Sequence, residues 1–191
     1  MPAPRPTVNF LGTPLLLTSH VDWFAVCQQL TSEPQPVAVE FANTQIVTMR
    51  RHEPWFCRVT GSFDFFVPDS TPLLWCLNWH GAGLCDRVYG PVFFNHCLRH
   101  SAAGLKHYFI GGSDQCGQEL RRIFKEKNHG LNIVGSFHGL VDSEGGCDGR
   151  DDALMEEINR LSPDFIWVGL GAPKHESWVH RHKARISRGV I

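Results

Sequence analysis

Several signals that place a protein in a class at first sight are missing from this sequence. Its 18 Lys and Arg residues are balanced by 19 Asp and Glu residues, so the net charge of −1 gives no electrostatic case for a nucleic-acid partner. No stretch approaches the roughly 18 apolar residues of a membrane-spanning helix. The opening, MPAPRPTVNFLGTPLLL, has one Arg and a short apolar run, unlike a signal peptide. Any contact with a membrane is therefore expected at the membrane surface.

Paired cysteine motifs are also missing. The cysteines are odd in number and form no C-x-x-C pair, which argues against a zinc ribbon and a thioredoxin-type site. In a chain of 191 residues this usage favours a reduced protein of the cytoplasm. The seven cysteines are Cys27, Cys57, Cys76, Cys85, Cys97, Cys116 and Cys147.

The sequence does contain a regular alternation of apolar runs and amphipathic stretches. Short apolar runs at 106–112, 131–139 and 164–171 predict strands, and a predicted helix follows each run. Ser113 is the expected N-cap of the first of these helices and Gly130 its stop. Such alternation is typical of parallel strands with right-handed crossovers. We predict an α/β fold, a Rossmann-like parallel sheet flanked by helices, in a single domain over residues 1–191.

The first half of the chain is less regular. Thr18 or Ser19 is expected to cap a helix, and residues 36–47 predict a strand that opens into a second helix. The aromatic-rich segment 54–85 gives no clear assignment. At the other end, a further strand is expected to begin at RGVI, residues 188–191.

Two predicted strands end in glycine-rich turns, IGGSD at 110–114 and GLGAPKHE at 169–176. Glycine lets the backbone approach a ligand closely, and a following helix presents free N–H groups to an anion. Lys174 would add a charge suited to a phosphate, with Pro173 in the first helical turn. The alternative is that both turns are ordinary connections and Lys174 is solvated. Neither turn is a Walker A loop or a complete G-x-G-x-x-G, so a standard dinucleotide fold is not supported.

The stretch HESWVH at 175–180 nearly matches the zinc-protease motif H-E-x-x-H. His175 and His180 are five residues apart, so on a helix they point about 140° apart and cannot share a metal as that motif requires. His180 and His182 are therefore predicted to be surface residues.

Three polar residues elsewhere have both functional and ordinary interpretations. Asp69, after an apolar run and a proline, could act as a general base or cap a turn. Asn43, at a predicted strand end, could bind a sugar hydroxyl or form an Asx turn, and Arg87 could pair with a phosphate or a surface carboxylate. There is no D-x-D pair to hold a metal on a nucleotide diphosphate.

Taken together, these segments resemble the WecG/TagA/CpsF family of bacterial glycosyltransferases, from FLGTPLLL to the end of the chain. The most specific element is PDFIWVGLGAPKHESW, which is similar to the family signature PD-apolar-apolar-VGLG-x-PKQE. HYFIGGS, LNIVGSFHG, the Asp of VPDS, and RVYG lie in matching order.

The resemblance implies an inverting, metal-independent glycosyltransferase without a cofactor. It would move a hexose-type sugar, N-acetylmannosamine-like or a uronate, from a UDP-sugar to a polyprenyl-diphosphate-linked sugar in cell-surface polysaccharide synthesis. It implies a cytoplasmic protein, peripheral on the inner face of the cell membrane. Residues 1–100 would form the acceptor and catalytic half, and residues 101–191 the nucleotide-binding half. A homo-oligomer is left open.

Site residues follow from the same resemblance, position by position. Asp69 matches the proposed catalytic base, and Arg87 matches an arginine implicated in binding the diphosphate or substrate. The substrate-binding positions implied are Asn43, Thr44, Arg87, Gly111, Gly112, Gly169, Gly171, Pro173, Lys174, His175 and Glu176.

Four motif positions depart from the family: Phe41 replaces Thr, Ser70 replaces Gly, Val92 replaces Asp, and His175 replaces Gln. Family members also continue with a strand and a basic helical tail, so the C-terminal part is expected to be truncated. These departures favour the main alternative, a non-catalytic nucleotide-sugar-binding relative. A second alternative is a different nucleotide-using α/β enzyme, which a metal requirement would favour.

Overall fold

The structure, a computed structural model, describes residues 6–191. Residues 1–5, which begin the segment compared with a signal peptide, lie outside the described residues. The strands are β1 (Thr7–Phe10), β2 (Thr13–Leu16), β3 (Val39–Ala42), β4 (Phe65–Pro68), β5 (Lys106–Gly111), β6 (Asn132–Phe137) and β7 (Phe165–Gly169). The helices are α1 (His20–Leu30), α2 (Thr44–His52), α3 (Pro54–Val59), α4 (Thr71–Trp79), α5 (Gly90–His100), α6 (Asp114–Lys127), α7 (Asp151–Leu161) and α8 (Lys174–His182).

The strands form two sheets, in the orders β1-β2-β4-β3 and β6-β5-β7. All pairings are parallel except the β1–β2 hairpin, so the predicted parallel α/β architecture is confirmed with one antiparallel edge. The register places Phe41 of β3 opposite Val67 of β4, and Phe109 of β5 opposite Trp167 of β7. The carboxyl ends of β3 and β4 therefore lie side by side in one sheet, and those of β5 and β7 lie side by side in the other.

Residues 189–191 join the two sheets. Val190 forms parallel bridges with Val37, just before β3, and with Phe165 at the start of β7. The Val39 N–H donates to the Ile191 carbonyl, and the Ile166 N–H donates to the Val190 carbonyl, each at 2.8 Å. The further strand expected at RGVI is thus present as a two-sided bridge, and it places β3 and β7 on either side of one segment.

Serine side chains begin two of the helices. The Ser19 hydroxyl accepts from the Asp22 N–H at 3.1 Å, and the Ser113 hydroxyl accepts from the Cys116 N–H at 3.2 Å. These bonds satisfy amide hydrogens that a helix leaves free in its first turn. The N-cap prediction for Ser113 is confirmed, and Ser19 rather than Thr18 caps α1.

Two boundaries differ from the sequence-based expectation. Helix α6 ends at Lys127 instead of reaching Gly130, because the Asn128 amide donates to the carbonyls of Leu98 and Ser101, both at 3.1 Å, and holds residue 128 extended. The unassigned segment 54–85 contains α3, β4 and α4. These elements are too short to establish a clear period in the sequence.

Apolar side chains cover both faces of the sheets. Tyr108, Phe56 and Trp178 lie in one cluster, and Trp23 and Phe93 lie in another. Burial on both faces explains why the central strands read as continuous apolar runs. Within residues 6–191, no helix has the length and apolarity needed to cross a bilayer.

One surface prediction is wrong. His180 is exposed as expected, but His182 is fully buried. It follows Trp178 by four residues on α8, so both side chains lie on the helix face that packs into the core.

Candidate active site

A cavity of about 660 Å³ opens at the carboxyl ends of β3, β4, β5 and β7. Ligands of open parallel α/β sheets bind at this edge. The structure brings seven of the site residues expected from the sequence into the lining of this cavity: Asn43, Asp69, Gly111, Gly112, Gly169, Gly171 and His175.

Asp69 follows β4 directly and is half-buried at the cavity wall. Its N–H donates to the Ala42 carbonyl at 2.9 Å, which extends the β3–β4 pairing by one residue. Its Oδ1 accepts from the Gly90 N–H, at the start of α5, at 3.2 Å. Burial raises the pKa of Asp69, while the Gly90 hydrogen bond and the nearby charge of Arg87 act in the opposite direction. A fixed carboxylate with a raised pKa is suited to accept a proton.

Arg87 reaches this region through the segment between α4 and α5. The neighbouring Val88 N–H donates to the Pro68 carbonyl at 2.9 Å, which fixes the segment beside the end of β4. The guanidinium of Arg87 lies 4.6 Å from the ring centroid of Tyr89. Arg87 is therefore a cation beside Asp69, although it is outside the cavity lining.

Asn43 has a structural role as well as a place in the cavity wall. Its Oδ1 accepts from the Ile46 N–H at 3.1 Å, so it is the N-cap of α2. Thr44, the first residue of α2, is exposed and lies outside the lining, whereas Gln45 is part of it. Phe41, at the motif threonine position, packs on Phe93 with centroids 5.2 Å apart.

The glycine turns serve two different purposes. A Cβ on Gly111 would collide with the carbonyl oxygen of Gly169, so Gly111 permits the close approach of β5 and β7. Gly171 has φ +78°, and a Cβ at this position would meet no other atom within 4 Å, so only the backbone conformation favours glycine there. Because Gly171 has no side chain, its backbone is accessible from the cavity.

A buried charged cluster forms the next part of the wall. His175 Nε2 lies 3.0 Å from Glu176 Oε1 and 3.8 Å from Glu40 Oε1, and both glutamates are buried. Burial opposes a charge on His175, but the two carboxylates outweigh it, Glu176 first, and raise the pKa of His175 to about 10. His175 is thus an imidazolium at neutral pH when no metal is bound, and these three side chains are also spaced as metal ligands could be.

Glu40 is not among the site residues predicted from the sequence. It is a charged residue within the apolar run VAVEFA, and a charge in a buried strand needs a partner. A charged residue within an apolar run was the sequence signal that could have identified Glu40. Its partner, His175, is 135 positions further along the chain, so the pairing itself is visible only in the fold.

Lys174 has a different environment from the one expected. Its Nζ donates to the Val141 carbonyl at 3.0 Å, in the segment between β6 and α7. Pro173 precedes it as the N-cap residue of α8. Lys174, Pro173 and Glu176 lie outside the cavity lining. Among the described residues that line the cavity, the charged ones are Glu40, Asp69 and His175.

Aromatic side chains make up much of the remaining wall, and none of them was predicted from the sequence to be a site residue. They include Phe41, Phe93, Phe94, Phe109 and Trp167. The cavity therefore combines an apolar wall with a few polar groups, as small-molecule sites commonly do.

A largely parallel sheet with a half-buried carboxylate and glycine turns at its carboxyl edge is the arrangement of many ligand-binding α/β proteins. Residues 8–191 match the family described as Glycosyl transferase WecG/TagA/CpsF family. The chain belongs to this family, and the resemblance found in the sequence is confirmed.

Curated relatives give a narrower comparison. The chain is 22% identical over 151 residues to the N-acetylglucosaminyldiphosphoundecaprenol N-acetyl-beta-D-mannosaminyltransferases of Staphylococcus aureus strains MRSA252, NCTC 8325 / PS 47 and COL. The aligned part is 78% of this chain and 57% of each relative. The chain thus spans little more than half the length of these relatives.

Proposed function

We propose that this chain is an inverting glycosyltransferase that moves a sugar from a UDP-sugar to a polyprenyl-diphosphate-linked sugar. The observation that carries the proposal is Asp69, a carboxylate with a raised pKa at the cavity wall. Family membership and the names of the relatives support the reaction class.

In the proposed mechanism, Asp69 takes the proton of the acceptor hydroxyl. The acceptor oxygen attacks the anomeric carbon from the face opposite UDP and forms the new glycosidic bond. The bond from the anomeric carbon to the diphosphate oxygen breaks, and its electron pair leaves with UDP. Backbone N–H groups at the start of α6 and the Arg87 guanidinium would meet the charge that develops on UDP, and Lys174 would join them by exchanging its hydrogen bond to the Val141 carbonyl for one to a phosphate.

We further propose that this transfer needs no divalent metal on the diphosphate. The sequence has no D-x-D pair to hold such a metal. The charges of the lining do not select the donor, because a uronate would meet Glu40 and Asp69 but also the imidazolium of His175. The names of the relatives favour N-acetylmannosamine as the donor.

The acceptor is a lipid, so we propose that the enzyme works at the cytoplasmic face of a membrane, which it contacts from the surface. The relatives act on N-acetylglucosaminyldiphosphoundecaprenol, as their names state. An acceptor of this class, a diphosphate-linked sugar on a long isoprenoid, is the one to test first.

The first experiment is a calorimetric titration of the chain with UDP, with and without magnesium, beside Lys174→Ala. We expect binding that is unchanged by magnesium and weakened by Lys174→Ala. A second experiment compares UDP-N-acetylmannosamine and its uronic acid as donors to the lipid acceptor. UDP binding without transfer to any acceptor would instead favour the non-catalytic nucleotide-sugar-binding relative.

A further inference from the structure

Four possible metal-binding atoms lie close together where the segment between β6 and α7 meets the end of α8. They are the Gly145 carbonyl oxygen, Cys147 Sγ, Asp151 Oδ1 at the start of α7, and His182 Nε2 at the end of α8. We call these four groups the Cys147 cluster. Cys147 and His182 are fully buried, and all four residues lie outside the lining of the cavity described above.

The distances within the Cys147 cluster are close to those of a tetrahedral metal site. His182 Nε2 lies 3.0 Å from the Gly145 oxygen, 3.1 Å from Asp151 Oδ1 and 4.0 Å from Cys147 Sγ. With Zn–N and Zn–O of about 2.0–2.2 Å and Zn–S of about 2.3 Å, tetrahedral geometry places donors about 3.3–3.6 Å apart. The three distances from His182 Nε2 each lie within roughly half an ångström of that spacing.

Three donor atoms face one ring nitrogen. The Gly145 oxygen, Asp151 Oδ1 and Cys147 Sγ all lie around His182 Nε2, which carries at most one hydrogen and so cannot direct a bond at all three. A single cation among the four donors would contact all of them.

Two hydrogen bonds from outside the Cys147 cluster reach its donor atoms. The Trp178 Nε1–H donates to Cys147 Sγ at 3.3 Å, and Asp151 Oδ1 also accepts from Arg181 Nε at 3.1 Å. Such second contacts orient metal ligands and stabilise their negative charge.

We propose that Cys147, Asp151, His182 and the Gly145 carbonyl bind one Zn²⁺ ion. Thiolate, imidazole and carboxylate in a four-coordinate arrangement select zinc over magnesium or calcium. The ion fixes the segment between β6 and α7 to the end of α8, while Lys174 fixes the same segment to the start of α8 through Val141. The role is structural, and the proposal stands or falls independently of the proposed transferase activity.

The test is a titration of the metal-stripped full chain with Co²⁺, which replaces Zn²⁺ and reports a cobalt–thiolate bond as a near-ultraviolet charge-transfer band. We expect this band to saturate at one Co²⁺ per chain and to disappear on addition of Zn²⁺. Cys147→Ser should abolish the band, whereas Cys116→Ser, at an exposed cysteine on α6, should leave it unchanged. No band in the unchanged chain, or a band that survives Cys147→Ser, would overturn the proposal.

A second variant keeps the proposal testable if Cys147→Ser does not fold. Asp151→Asn keeps the volume and an acceptor oxygen but removes the ligand charge, and we expect it to fold and to bind Co²⁺ at least about tenfold more weakly. In a thermal melt, one equivalent of Zn²⁺ should raise the Tm of the unchanged chain clearly more than that of Asp151→Asn. Equal shifts in both proteins would mean that Asp151 is not a ligand and would contradict the four-ligand site.

Discussion

The backbone N–H of Gly90 donates to Oδ1 of Asp69 at 3.2 Å, and this bond joins the end of β4 to the first residue of α5. It holds the carboxylate in one orientation at the cavity wall. The second oxygen of Asp69, Oδ2, is the one that we expect to accept the proton of an acceptor hydroxyl.

Asp69→Asn is therefore expected to lower kcat by roughly 10²–10⁴, because the amide cannot accept the proton. Its oxygen can still accept the Gly90 hydrogen bond, so the fold and the affinity for UDP should be retained. A transfer assay with calorimetry in parallel measures both. Asp86→Asn, at an exposed carboxylate adjacent to Arg87 in the chain, is the control. Full turnover by Asp69→Asn would show that another group is the base.

Arg87→Gln is expected to move the acid limb of the pH–rate profile to higher pH. The Arg87 charge lowers the pKa of Asp69, so its removal leaves more of the carboxyl protonated at a given pH. The profile of kcat/KM reports this pKa in the free enzyme. The control, Arg99→Gln on the exposed side of α5, should leave the acid limb of the profile unchanged. If Arg87→Gln also left the acid limb unchanged, Asp69 would not be the group whose titration produces it.

His175 makes the stability of the fold depend on pH. Its pKa is about 10 when folded, against 6.5 as the ordinary value, so its ion pairs stabilise the fold fully below pH 6.5. That contribution is lost between pH 6.5 and about 10, as the imidazolium loses its proton beside Glu40 and Glu176. Thermal melts should show a fall in Tm across this window.

The control for that measurement is His175→Gln, which has no proton to lose in the same range. Its Tm should be lower at pH 6 and should depend less on pH. If the unchanged chain and His175→Gln lost the same Tm between pH 6.5 and 10, His175 would not be the group responsible.

Gly111→Ala and Gly171→Ala form a matched pair. Both residues have positive φ, which costs an alanine about 1–2 kcal/mol. At Gly111 the new methyl also collides with the Gly169 carbonyl, which adds about 1–3 kcal/mol of overpacking, whereas at Gly171 it meets open space. Urea unfolding should therefore show the larger loss for Gly111→Ala, and equal losses would contradict the close approach of β5 and β7.

The parts of the fold predicted well are those governed by local rules. The strands and helices after residue 106 have apolar runs of the right length, and Ser113 begins α6 as its chemistry requires. The family signature around Gly169 and Lys174 was likewise readable. The segment 54–85 was not, because short elements carry too few residues to show a period.

Long-range partners account for most of what the sequence did not reveal. Glu40 and His175, Lys174 and Val141, and the Cys147 cluster each join residues that are far apart in the chain. No local pattern encodes these distances, and His182 was wrongly predicted to be exposed for that reason. Whether Lys174 binds a phosphate stays a prediction for the UDP titration.

The sequence by itself determined the class of fold, the family and the position of Asp69, because apolar periodicity, capping residues and short motifs are local properties of a chain. Only the tertiary structure decided which groups meet. The parallel register brought four strand ends to one cavity, and packing of α8 buried His182 and placed His175 between two carboxylates. Burial then set the charge of each group, because the pKa of a side chain depends on neighbours that the sequence does not place beside it.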